Sequence, residues 1–261
     1  MDDLQKINIS ISGWPGAGTT TLALILSDLT KRRYFHIGGV YRYLGIKLGF
    51  SDEGLSRPKF DDYIENIIGH TTDNFVDYKL LNDNNLIVGA DIAVFRIGRH
   101  PKIFSIFLKA SKENRIQRAL SDNREDAILS LEQRDNVLKL KYKGLWDIEF
   151  FDEEIIQKKH SLFLDNSNMS LNNELIQVIS SFKEFLQYKS IPVDYWQGIE
   201  SKITQTVENY QKIGKEEFFA QLSKQKLIVE PQEIIQEITK LYPEDVGTYP
   251  EKIKNIFLGI N

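Results

Sequence analysis

The chain has 261 residues, a formal net charge of −4 and an isoelectric point near 5.7, a balance that argues against a nucleic-acid partner, because a phosphate backbone needs a concentrated basic face. It has no cysteine, which excludes disulfides, thiol catalysis and cysteine metal sites. Met1-Asp2-Asp3 leads into no signal-peptide core and no apolar run approaches the roughly 20 residues of a membrane span, so a cytoplasmic location and no membrane partner are expected.

Taken in chain order, Ile7, Ile9 and Ile11 alternate with Asn8, Ser10 and Ser12 and predict a strand. Its polar side is unusual for a central parallel strand. Thr20 to Lys31 predicts a helix with Leu22, Ile25, Leu26 and Leu29 on one face, closed by Lys31-Arg32-Arg33, cations that suit a helix C-terminus. Tyr34–Ile37 reads as a strand and Gly39–Leu48 as a helix. A helix starting at Pro58 continues through Phe75 and Val76 to the turn at Asn82-Asp83-Asn84-Asn85. Strands follow at Leu86–Ala90, Ile103–Leu108 and Ser161–Leu164, and helices at Lys112–Leu120, Ala127–Lys143 and Asn172–Tyr188. This alternation predicts an α/β fold with a parallel sheet flanked by helices.

After Ile191-Pro192 the pattern becomes helical: Trp196–Ile213, Glu216–Gln225, Gln232–Leu241 and Tyr249–Leu258. Leu227-Ile228-Val229 is the one run there that could form a strand. A kinase-sized α/β domain over residues 1–190 and a helical C-terminal extension over 191–261 are therefore expected.

Between the first strand and first helix lies Gly13-Trp14-Pro15-Gly16-Ala17-Gly18-Thr19-Thr20. It has the spacing of a P-loop, G-x-x-x-x-G-K-[ST], with Thr19 in the lysine position. Glycines let a backbone wrap an anion with its N–H groups inward, and the helix N-terminus adds free amides and partial positive charge. ATP is the expected ligand of Gly13, Pro15, Gly16, Ala17, Gly18, Thr19, Thr20 and Thr21, with the Thr20 hydroxyl on Mg²⁺. The bland alternative is a glycine-rich turn without a ligand.

With that loop in place, the chain resembles the cytidylate kinases over roughly residues 5–187, and is nearer to their short archaeal form. The resemblance is carried by Gly13–Thr21, His36-Ile37-Gly38-Gly39-Val40-Tyr41-Arg42, the segment Asp73 to Lys79, Leu86 to Asp91, Ile106 to Ser111, and Glu132 to Lys143. It implies a P-loop nucleoside monophosphate kinase fold and transfer of the ATP γ-phosphoryl group to CMP or dCMP. It also implies a monophosphate site at Gly38, Gly39, Arg42, Asp73, Asp77 and Asp91, the last of these near Mg²⁺ as well. The sequence departs from the family at Thr19, at Ala90, where bacterial members keep an arginine, and at Lys141, usually arginine.

Phosphoryl transfer depends on positioning and charge neutralisation. Arg42, Arg115, Arg118, Arg134 and Lys141 are the candidate cations, and Arg118, Arg134 and Lys141 are assigned to the transfer itself. Basic residues on helices also serve as solvated surface charges. Trp146, Phe150 and Phe151 read as core or lid packing, and the four histidines have no metal-ligand spacing. Three other functions stay open: nucleotide binding without turnover, which Thr19 and Ala90 favour; a kinase for another small metabolite; and a scaffold whose residues 193–261 bind a protein partner.

Overall fold

The computed structural model describes residue 4 and residues 6–49, 62–121, 127–186 and 192–260. Six parallel strands form one sheet in the order β5-β4-β1-β3-β2-β6. They are β1 (Asn8–Gly13), β2 (Arg33–His36), β3 (Leu86–Gly89), β4 (Ile103–Lys109), β5 (Leu162–Asp165) and β6 (Ile228–Val229). The helices of the first part are α1 (Thr19–Thr30), α2 (Ile37–Lys47), α3 (Asp62–Asn82), α4 (Ala93–Ile97), α5 (Lys112–Ser121), α6 (Ala127–Trp146), α7 (Glu153–Lys159) and α8 (Leu171–Phe185). α9 (Val193–Glu200), α10 (Ile203–Lys224), α11 (Pro231–Leu241), α12 (Pro243–Gly247) and α13 (Glu251–Leu258) complete the chain. The expected helix start at Pro58 and helix end at Tyr188 lie outside the described residues. Among the described residues no helix is long and apolar enough to cross a membrane.

The expected α/β sheet is present, and β1 lies inside it between β3 and β4. Its polar side chains are buried for a reason that alternation could not reveal. Asn8 donates to the carbonyls of Leu80 and Asp83 and accepts from the Leu86 amide, tying the end of α3 and the start of β3 to the central strand. The Ser12 hydroxyl donates to the Ile106 carbonyl and lies 3.0 Å from His160 Nε2. Burial holds His160 down to about 4, so its ring is neutral at pH 7.

One expectation needs correction, and two short helices were not foreseen. Arg32 is not a solvated helix-end cation: it is 1% exposed and donates to the carbonyls of Ile7 and Leu4. α4 and α7 escape sequence periodicity because neither exceeds two turns. In the last part, the one run that could form a strand, Leu227-Ile228-Val229, supplies β6, which pairs with β2 as the edge strand.

The last part also shares the core of the first. Trp196, Ile203, Val207, Phe218 and Leu222 are buried in the cluster that contains Ile9, Leu22 and Leu26. Ile234, Ile235, Ile238, Tyr249 and Ile253 are buried in the cluster that contains Phe35, Val40 and Val88. α10 is interrupted at Gly214, where φ is 79° and ψ 171°, so two helical segments meet at a kink where the sequence places a break between residues 213 and 216.

Ile234 is fully buried, and Ile234→Ala is expected to cost about 2–5 kcal/mol. Calorimetry is expected to show one unfolding transition shifted as a whole. A separable C-terminal unit would instead give two transitions with only one displaced.

Candidate functional site

The loop after β1 is shaped by close approaches. Gly13 lies so near β4 that a Cβ there would be 2.6 Å from the Leu108 carbonyl oxygen. Gly16 and Gly18 have φ of 82° and 98°, a region costly for any residue with a side chain. Gly18 begins α1 without a side-chain cap among the described residues, leaving the first amides of the helix for an anion.

Two loop carbonyls are held by α5 and by the residue after β5. Arg115 donates to the Pro15 oxygen at 3.1 Å and grips both Asp135 oxygens at 2.9 and 2.8 Å. Arg118 donates to the Ala17 oxygen at 3.0 Å and to the side-chain and backbone oxygens of Asn166, each at 3.0 Å. Asn166 Nδ2 donates to Ala17 as well, at 2.8 Å, and to Glu174 at 2.9 Å. Arg118, expected among the transfer cations, is thus a brace of the loop. Burial pushes the Glu174 carboxyl up to about 7, against the opposing pull of Asn166 and Arg118.

The threonines divide their work. Thr19 turns its methyl toward Gly13, whose Cβ would meet it at 2.9 Å. The Thr21 hydroxyl lies 3.0 Å from the Tyr210 hydroxyl of α10, which ties the start of α1 to the C-terminal segment. Thr20 hydrogen-bonds the buried Tyr34 of β2, whose hydroxyl also feels the charges of Arg42 and Asp91. Tyr34 stacks on His36 with ring centres 5.4 Å apart, and Arg42 donates to His36 Nδ1 at 3.2 Å. A Cβ on Gly38 would lie 2.9 Å from His36 Nε2, whereas Gly39 has more room. Asp91 accepts from the Tyr142 hydroxyl at 2.9 Å. Thr20, Gly38, Arg42 and Asp91 therefore converge, through Tyr34 and His36, which carry no motif of their own.

Asp73 and Asp77 belong to a second cluster, one helical turn apart on α3. Asp73 accepts from Trp146 Nε1 at 3.3 Å, and Asp77 pairs with Arg96 at 3.0 Å. Arg96 also donates to Asn74 at 2.6 Å, and its guanidinium lies 3.8 Å from the centre of the Trp146 ring. His70 meets that indole edge-on at 4.6 Å. Lys141 stands nearby, with Nζ 5.9 Å from the Tyr41 ring centre. Asp77 Oδ1 and Arg96 Nη1 are buried without a hydrogen-bond partner among the described residues. Burial pushes Asp77 up to about 7 although Arg96 opposes it. Arg134 is half-buried two turns before Lys141 on α6, beside the Asp135 that holds Arg115. Phe150 is core, as expected, while Trp146 packs on this polar cluster. Arg96 was not foreseen, because a lone arginine in a short helix carries no pattern.

No family model matches the chain. Cytidylate kinase from Pyrobaculum islandicum is 27% identical over 173 residues, 64% of this chain and 88% of that one. Cytidylate kinase from Methanococcus aeolicus is 30% identical over 156 residues, 56% of this chain and 83% of that one. The chain belongs to the cytidylate kinase family. Among solved structures, an uncharacterized protein from Eubacterium ventriosum shares the fold, with a TM-score of 0.50 at 13% identity over 67% of this chain and 96% of that one. Most of each cytidylate kinase is covered, while more than a third of this chain lies outside each match.

In this member of the cytidylate kinase family, Arg118→Ala is expected to weaken ATP binding about 10- to 100-fold by calorimetry, the scale of a lost charge-assisted hydrogen bond. A role confined to the transfer step would instead lower kcat and leave ATP affinity unchanged.

Glu174 gives a pH signature. Its folded carboxyl, at about 7, keeps a proton that the unfolded chain releases near the ordinary glutamate value of 4.5. The stability it contributes is complete below the lower value and is lost as pH rises through the upper one. Glu174→Gln is therefore expected to gain on the parent between these values, reaching roughly 3 kcal/mol above pH 7. Denaturant titrations at pH 5 and pH 8 check this; an equal difference at both would refute it.

Proposed function

We propose that the chain is an ATP-dependent nucleoside monophosphate kinase acting on CMP and dCMP. Kinase relatives support the reaction class. The acceptor is supported by one observation: Arg96 Nη1, a donor, and Asp77 Oδ1, an acceptor, are both buried and unpartnered among the described residues, on two side chains joined by an ion pair. The edge of cytosine offers the complement, an N3 acceptor beside an N4 amino donor. Uracil inverts that pattern, and a mismatched edge leaves buried polar groups unpaired, the strongest source of discrimination available to a site.

In this reading Gly13, Pro15, Gly16, Ala17, Gly18, Thr19 and Thr20 hold the ATP phosphates, and Gly38, Gly39 and Arg42 hold the acceptor phosphate. Thr20, hydrogen-bonded to Tyr34, and Asp91, whose charge reaches the same tyrosine, are hard oxygen donors, and they fit a Mg²⁺ that arrives with the triphosphate. The ion would neutralise phosphate charge. Its remaining ligands would be phosphate oxygens and water, as is usual for Mg²⁺. With Thr19 in the loop, Arg134 and Lys141 of α6 supply the positive charge that the loop lacks. Thr19 also favours a second reading, nucleotide binding without transfer.

A coupled assay with ATP·Mg²⁺ and a panel of monophosphates tests the proposal. CMP and dCMP are expected to be turned over faster than AMP, GMP or UMP. Arg42→Ala is expected to raise the KM for CMP about 10- to 100-fold with ATP affinity unchanged. Uniform turnover across the panel would overturn the acceptor assignment, and ATP binding with no turnover would select the second reading.

A further inference from the structure

The placement of Trp146 is unusual for a packing residue. It is the last residue of α6, and it is only partly buried in the apolar cluster around Phe150. Its indole instead lies over the Arg96 guanidinium at 3.8 Å, meets the His70 ring edge-on, and spends its N–H on Asp73. An aromatic heterocycle that stacks on an arginine and donates to a carboxylate makes the contacts a nucleobase makes. Among the described residues the polar atoms next to it, Arg96 Nη1 and Asp77 Oδ1, have no hydrogen-bond partner: an indole has no acceptor for the first, and its one donor is already on Asp73.

Resting on the acceptor reading above, we infer that Trp146 occupies the base slot of the acceptor site when no monophosphate is bound, and that an aminopyrimidine must displace it to reach Arg96 and Asp77. The indole reproduces the stacking half of the base contacts without the edge half. A cytosine gains both, so it can expel the indole. A pyrimidine with the inverted edge regains only the stacking and leaves the slot to Trp146. Discrimination then comes from competition with a resident side chain as well as from direct contacts.

The test is calorimetry and tryptophan emission on the full chain, with CMP or UMP and no ATP. CMP is expected to change the emission of the parent, and Trp146→Phe is expected to abolish that change while Trp14 and Trp196 remain. Trp146→Ala is expected to bind CMP at least about tenfold tighter, because a competent form populated at no more than roughly 10% costs that factor in apparent affinity. Trp146→Phe, which cannot donate to Asp73, is expected to tighten binding by less. It also keeps the test decisive should the alanine variant fail to fold. Both variants are expected to narrow the preference for CMP over UMP. Weaker CMP binding in the variants, or an emission change that survives Trp146→Phe, would overturn the inference and leave the acceptor reading standing. A parent that binds no monophosphate would overturn the acceptor reading, and the inference with it.

Discussion

The candidate site depends on two backbone oxygens. With Pro15 and Ala17 held by Arg115, Arg118 and Asn166, two loop carbonyls are committed to protein donors. An unbraced glycine-rich loop has many conformations, and selecting one at the moment of binding would cost conformational entropy. Here that selection is made in advance by guanidiniums whose own positions are set by Asp135 and Asn166. A charged side chain can thus shape a loop through its carbonyls, by fixing the peptide groups around it.

The same economy recurs across the sheet. The C-terminal part closes the open edge at β2 with β6 and covers α1, α2 and α3 with α10 and α11. Lys79 of α3 is 7% exposed, is held by Glu237 of α11 and Asp83, and sits over the rings of Phe35 and Phe75. Tyr242 donates to the Asn74 carbonyl, and the Asn74 side chain accepts from Arg96. The helix that carries Asp73 and Asp77 is therefore tied to residues far beyond the part that resembles short kinases. An edge strand left uncovered would offer unpaired peptide groups. Here β6 takes them up, and the helix that follows it anchors α3.

Electrostatically the two clusters differ. Around Thr20 the buried Tyr34 links one cation and one carboxylate, Arg42 and Asp91. Around Trp146, Asp77 pairs with Arg96 while Asp73 accepts from the indole, and burial pushes Asp77 toward neutral pH. Like charges in a partly desolvated place disfavour ionisation, and the neighbouring arginine offsets only part of that.

Local chemistry in the sequence was enough to specify the loop, the alternation of strands and helices, the break near Gly214 and the place of Arg42 one turn into its helix. Glycine spacing and apolar periodicity are short-range signals, and they report what the nearest dozen residues must do. Pairs far apart in the chain were not legible. Thr21 meets Tyr210 across 189 positions, Asn8 meets Leu80 across 72, and Arg118 meets Ala17 across 101. Those partners are chosen by which helix packs on which face of the sheet. The same holds for Arg32, whose local setting at a helix end suggests solvent, while the packing around it removes the solvent and supplies two carbonyls instead. The kind of machine was determined by sequence-local geometry. Which cations brace the loop was decided by tertiary burial, because the role of a charged side chain depends on the groups that replace its water.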